Sequence, residues 1–155
     1  MILTTRSVRM KNAGVIRGAA LLGMAALAAG CSVVDSNGYS RELAYIEYGG
    51  SPVQIVLPAT ARVEEPVAVS VTTYGSGCAQ KGDTQVSVSA QVAELRPYDL
   101  YDEESDCPDI LRTFVHEAEV IFEQPGTATL RVHGRTSDGG RTIVETRTIT
   151  VQPAS

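Results

Sequence analysis

The chain has no tryptophan and only two phenylalanines, and its three methionines, Met1, Met10 and Met24, all fall within the first 24 residues. A blue-type copper site with an axial methionine therefore has no such ligand beyond that stretch, and His116 lies nine positions after Cys107 where such a site wants them close. Cysteine and histidine are as scarce. Cys31, Cys78 and Cys107 show no Cys-x-x-Cys knuckle, and His116 and His133 lie far apart in sequence, which speaks against structural zinc. Repeats, low-complexity tracts, phosphate-cradling glycine loops and basic patches are missing, so no cofactor is inferred. The apolar run at residues 18–29 is too short to span a bilayer as a helix.

That run has a different use. It follows a basic leader containing Arg6, Arg9, Lys11 and Arg17 and ends on small residues, the layout of a secretory signal. Because the next residue is a cysteine, Leu27-Ala28-Ala29-Gly30-Cys31 resembles a bacterial lipobox, with its leucine at Leu27 and Ala28 in the usual leucine place. The resemblance implies diacylglyceryl transfer to the Cys31 thiol, cleavage before it and acylation of the new amino terminus. It also implies an exported protein whose partner is a membrane, held through an N-terminal lipid; stable anchoring takes more than one acyl chain, which a triacylated terminus supplies. Ser32, in place of Asp, favours the outer over the inner membrane under the enterobacterial sorting rule. The alternative is a plain secretory signal cut near Ala29, with Cys31 incidental.

On this reading residues 1–30 are a lipoprotein signal peptide, 31–40 a lipidated polar tether and 41–155 one domain, long enough to bury a core. The nine residues from Ser32 to Ser40 reach at most about 30 Å, so the domain rides close to the membrane. All four leader cations are lost on cleavage. Nine Lys and Arg then face eighteen Asp and Glu, a net charge of −9 that argues against nucleic acid and anionic headgroups as partners.

The remaining sequence alternates apolar and polar residues over short runs, with no sustained helical period. The clearest faces are Val67, Val69 and Val71; Val86, Val88, Ala90 and Val92; His116, Ala118, Val120 and Phe122; and Ala128, Leu130 and Val132. Weaker candidates lie at residues 43–48 and 53–57. Turn residues separate the runs, and Asp138-Gly139-Gly140 between two β-rich segments predicts a hairpin of residues 129–136 with 142–152. The adjacent Ile143 and Val144 break the alternation, which predicts a bulge or a change of sheet. About seven short strands at such spacing point to an all-β fold, a single antiparallel β-sandwich. Residues 117–135, a strand, a Pro125-Gly126 corner and a second strand, resemble the penultimate strand pair of bacterial immunoglobulin-like modules, which implies an immunoglobulin-like order.

With Cys31 assigned to lipid, an even pair of cysteines in an exported protein predicts a disulfide between Cys78 and Cys107, whose loops share one end in that order. His116 falls on the inward parity and is expected to be partly buried with one ring nitrogen on backbone; His133 is expected to be solvated. Gly75-Ser76-Gly77 lacks the flanks of a nucleophile elbow, and paired carboxylates are specified nowhere, so no catalytic residue is assigned and the chain is read as a non-enzyme. An enzyme built on Ser76 and His116 is the remote alternative.

Chemistry concentrates locally in one acidic stretch. Asp99, Asp102, Glu103, Glu104, Asp106 and Asp109 lie among Tyr98, Leu100 and Tyr101. Crowded oxygen ligands could hold calcium, but no Asp-x-Asp-x-Asp-Gly pattern is present and no metal is assigned. The other reading is a recognition loop in which Tyr98 and Tyr101, with Asp99 and Asp102, present aromatic and acidic groups at the free end of the sandwich. The expected function is a lipid-anchored cell-envelope module that binds an envelope protein or glycan, or otherwise an accessory subunit or structural spacer.

Overall fold

The computed structural model describes residues 38–102 and 106–154. They contain ten strands and no helix: β1 (Tyr39–Leu43), β2 (Tyr45–Glu47), β3 (Ile55–Val56), β4 (Thr60–Arg62), β5 (Pro66–Gly75), β6 (Ala79–Ser89), β7 (Val92–Asp102), β8 (Arg112–Ile121), β9 (Gly126–Thr136) and β10 (Thr142–Gln152). The chain is all-β, as its alternation predicts. Cys31 and the rest of residues 1–37 lie outside the described residues, as do Glu103 and Glu104. β1 takes in Tyr39 and Ser40, which the sequence assigns to the tether.

Hydrogen bonds join all ten strands into one open sheet, an arrangement consistent with a β-sandwich. Both the strand count and the pairing exceed the expected seven antiparallel strands. β7 runs parallel to β9, β10 parallel to β4 and β2 parallel to β9. The extra strands and the parallel pairs of β2 and β4 come from the segment before β5, whereas β7 and β9 run parallel because β8, which pairs with β5, lies between them in the chain. Gly49, Gly50, Pro52 and Pro58 break the segment before β5 into short pieces that each pair with whichever edge they pass, first β7, then β9 and β5, then β10.

The inward residues of the long strands meet in one core. Val67, Val69 and Val71 of β5 lie beside Val120 of β8 and Phe122 just beyond it, facing Ala93 and Leu95 of β7 and Ala128, Leu130 and Val132 of β9. Ile46 of β2 fills the corner, and it does so because residue 134 is glycine: a Cβ there would sit 2.5–2.7 Å from three Ile46 side-chain carbons. The Asp-Gly hairpin forms as predicted, with ten consecutive pairs from Thr142↔Arg135 to Val151↔Gly126. No bulge accompanies the Ile143-Val144 step. Glu145 and Arg147 instead occupy the core-side parity of β10 where it is half open to solvent, and pair with each other there.

The run Val86, Val88, Ala90, Val92 is not one strand face. A two-residue turn at Ala90-Gln91 splits it between β6 and β7. Ala90 takes a left-handed φ of 50°, and Gln91 holds the turn down by donating from Nε2 to the carbonyls of Gln124 (2.7 Å) and Pro125 (3.2 Å). Val86 and Val88 are 39 % exposed because β6 pairs with β7 alone among the described strands.

Strand directions place the chemistry at one end. Tyr39 at the start of β1 pairs with Asp102 at the end of β7, and Ser40 and Ala79 both pair with Tyr101. The first described residues, the β5–β6 turn with Cys78 and the segment carrying Cys107 therefore gather at one end of the fold.

Candidate binding cleft

Cys78 and Cys107 form the expected disulfide, with Cα atoms 5.3 Å apart, and it ties the β5–β6 turn to the segment leading into β8. Around it, Gly77 N–H donates to the Pro108 carbonyl (3.3 Å), and Arg112 Nη1 donates to the carbonyls of Gly77 (3.3 Å) and Ala79 (3.2 Å). With both sulfurs in a covalent bond, neither is a thiolate ligand for zinc.

Beside the bridge lies a cleft of about 380 Å³. Four of the six tyrosines line it: Tyr45 of β2, Tyr48 just after it, Tyr74 of β5 and Tyr101 of β7. Tyr48 and Tyr74 lie with ring centroids 5.8 Å apart at 32°, and Tyr45 and Tyr101 meet edge-on at 6.3 Å. Ile110 and Leu111, 56 % and 51 % exposed, and the carboxylate of Asp109 complete the wall, with the hydroxyls of Ser76 and Ser137 at its margins. Behind the cleft, the Arg135 guanidinium stands 4.3 Å from the Tyr45 centroid and 5.8 Å from that of Tyr101, donates from Nε to the Leu43 carbonyl (2.6 Å), and pairs with Glu42 at 2.5 Å. Burial pushes the Tyr101 phenol well above its usual pKa, aided by the Asp99 charge, and its Oη has no hydrogen-bond partner among the described residues.

The four residues expected in a recognition loop are strand residues, at positions 98–102 of β7 between β1 and β6. Alternation along the strand separates them. Tyr101 reaches the cleft, whereas Tyr98 lies under the Arg41 guanidinium, 3.4 Å from its centroid, and Arg41 in turn holds Asp83 through two charge-assisted bonds of 2.7 and 2.9 Å. The Asp83 pairing lowers that carboxyl's pKa and raises that of Arg41.

Asp99 points inward and is completely buried. Its Oδ2 accepts from Thr73 Oγ1 (2.9 Å), its Oδ1 lies 3.0 Å from His116 Nε2, and His116 Nδ1 lies 2.9 Å from Thr84 Oγ1. His116 faces inward as its parity predicts, but it is fully rather than partly buried, and its ring nitrogens meet side chains rather than backbone. This chain joins β5, β7, β8 and β6 across the core. The residue types are those of acid–base chemistry, yet neither carboxylate nor imidazole has any exposed surface, so the arrangement serves as an internal clamp. His133 is half-buried against Glu94 and Arg96 rather than solvated.

The sequence gives no direct signal for the cleft because Tyr45, Tyr48, Tyr74 and Tyr101 are spread over 57 positions, and only strand register brings them together. A shallower recess of about 550 Å³ lies over Ala68, Ser70, Glu117 and Glu119, without any aromatic ring to grip a ligand. Among the described residues no group of His, Cys, Asp or Glu is arranged to hold a metal, and no helix is long and apolar enough to cross a membrane. No protein-family model, curated protein or solved structure matches the chain.

Proposed function

We propose that the protein is an exported, lipid-anchored module of the bacterial envelope, an immunoglobulin-like β-sandwich that acts by binding rather than by catalysis, with the tyrosine-lined cleft as its binding site. The observation that carries the reading is the cleft itself: four tyrosines from three separate parts of the chain converge on a concave, half-open space beside a disulfide. Rigid aromatic rings offer large contact area at small entropic cost, and convergence of aromatic walls with a few polar groups is the ordinary form of a ligand site.

The anchor enters through geometry as well as sequence. If Cys31 carries the lipid, the seven residues to Gly38 reach at most about 25 Å, and Gly38 joins the fold at the end that holds the cleft. The site then lies near the bilayer, and the opposite end, with the Ala90-Gln91 turn and the described C-terminal residues, points away.

A photo-crosslinking residue at Leu111, on the cleft wall, tests the site in native membranes against the same residue at Val144 on the outer face of β10. The proposal expects adducts from Leu111 alone, suppressed by Tyr48→Ser. Equal adduct yields from the two positions, or none from Leu111, contradict it.

A further inference from the structure

We propose that the cleft receives an organic ammonium group, and that the group is the headgroup of a zwitterionic lipid in the membrane beneath the domain. This deepens the binding reading above and rests on it.

The charge of the site selects the ligand class. Among the residues that line the cleft there is one carboxylate, Asp109, and no lysine, arginine or histidine. Asp106 lies close by in sequence on the bridged segment, and the chain carries a net charge of −5 even with its basic leader. A phosphate or carboxylate ligand would meet negative charge with nothing on the cleft wall to offset it. A cation meets Asp109 and the electron-rich faces of tyrosine rings, which attract ammonium and guanidinium groups within about 6 Å of their centroids.

The same corner already uses its rings in this way. Arg135 stands over Tyr45 and near Tyr101, and Glu42 offsets its charge, so these two rings have a resident cation. Tyr48 and Tyr74 form the other half of the wall and have no cation of their own among the described residues. Tyr48 is 44 % exposed, which leaves its ring accessible from outside. The volume, about 380 Å³, admits a group the size of choline or ethanolamine.

The position of the cleft selects the source. Tyr39 pairs with Asp102, so the chain arrives from the anchor at this end. Ile110 and Leu111 stand exposed on consecutive positions next to tyrosine rings, a combination suited to the boundary between headgroups and acyl chains. The acidic neighbours turn anionic lipids away and leave zwitterionic ones.

The full secreted chain carrying Cys31→Ala, which needs no detergent, allows a direct test by tyrosine ring NMR. Choline is expected to shift the Tyr48 and Tyr74 resonances saturably, and its neutral isostere 3,3-dimethylbutan-1-ol to bind roughly tenfold more weakly. Vesicles of phosphatidylcholine and phosphatidylethanolamine should bind the protein through the same resonances, and phosphatidylglycerol vesicles should not. Tyr48→Leu, at an exposed position, should weaken choline binding several-fold, and Asp109→Asn should do so without touching the core.

Equal binding of the isostere, or preference for phosphatidylglycerol, overturns the ammonium assignment and leaves an apolar binding cleft. Choline binding without vesicle binding overturns the lipid source. No shift with choline or vesicles overturns the whole inference, while the Leu111 crosslink reports independently on whether the cleft binds anything.

Discussion

His116 Nε2 lies 3.0 Å from Asp99 Oδ1 in the centre of the fold, and neither side chain has any exposed surface. The contact fastens β8 to β7, and its continuations to Thr84 and Thr73 fasten β6 and β5, so four strands share one set of polar bonds. Within the set Thr73, Asp99, His116 and Thr84 every side-chain oxygen and nitrogen has a partner, which is what makes burial of so much polarity tolerable.

Asp99→Ala removes the middle of that chain and strands Thr73 Oγ1 and His116 Nε2. Each buried group left without a partner costs about 1–3 kcal/mol. Urea unfolding should therefore show a loss of several kcal/mol, and a loss of less than about 1 kcal/mol would mean that the clamp contributes little.

Reduction of Cys78–Cys107 should weaken the whole fold and not the bridged end alone. In the chain-entropy treatment, closing a loop of about 30 residues contributes roughly 3–4 kcal/mol. Cys78→Ser with Cys107→Ser is expected to lower the urea midpoint accordingly, and any ligand affinity of the cleft should fall with it, since the bridge positions the segment that carries Asp109, Ile110 and Leu111.

Gly134→Ala places a methyl against Ile46 at less than 3 Å. Ile46 is fully buried and has little room to move, so the substitution should destabilise by about 1–3 kcal/mol, as overpacking of a core does. The paired change Gly134→Ala with Ile46→Val should recover part of the loss in a double-mutant cycle.

His133 should titrate below the ordinary histidine value of 6.5, because burial, and then the nearby Arg96 charge, outweigh the attraction of Glu94. The unfolded chain then takes up the proton more readily than the folded one. The stability that His133 contributes is complete above about pH 6.5 and is lost as the pH falls through that value towards the folded pKa. NMR titration gives the pKa directly, and His133→Gln should flatten the pH dependence of stability across that window.

The strands with a clean alternation were legible from sequence: Val67, Val69 and Val71, the β8 face with His116, and Ala128, Leu130 and Val132 all lie where their parity predicts. The disulfide was legible from cysteine arithmetic, and the last hairpin from Asp138-Gly139. The β6–β7 turn was not, because its two central residues, Ala90 and Gln91, are not usual turn formers and a distant anchor from Gln91 to the Gln124 carbonyl holds it. The acidic residues around 99–102 suggested a loop, yet they complete β7, and Pro97 stands where the neighbour of β7 on one side changes from β9 to β1. Asp99 illustrates the limit. A carboxylate in an acidic stretch reads as solvated, and only the register that sets it opposite His116 shows it to be internal. The cleft depends on the same kind of long-range register.

The most direct measurement is the intact mass of the protein extracted from native membranes, with thiol alkylation before and after reduction. A triacylated chain that begins at Cys31 and gains alkyl groups only after reduction is the expected result; it would put the anchor and the bridge in one molecule and the tyrosine cleft within reach of the bilayer. An unlipidated chain would contradict the anchored reading and remove the basis for a membrane-facing site.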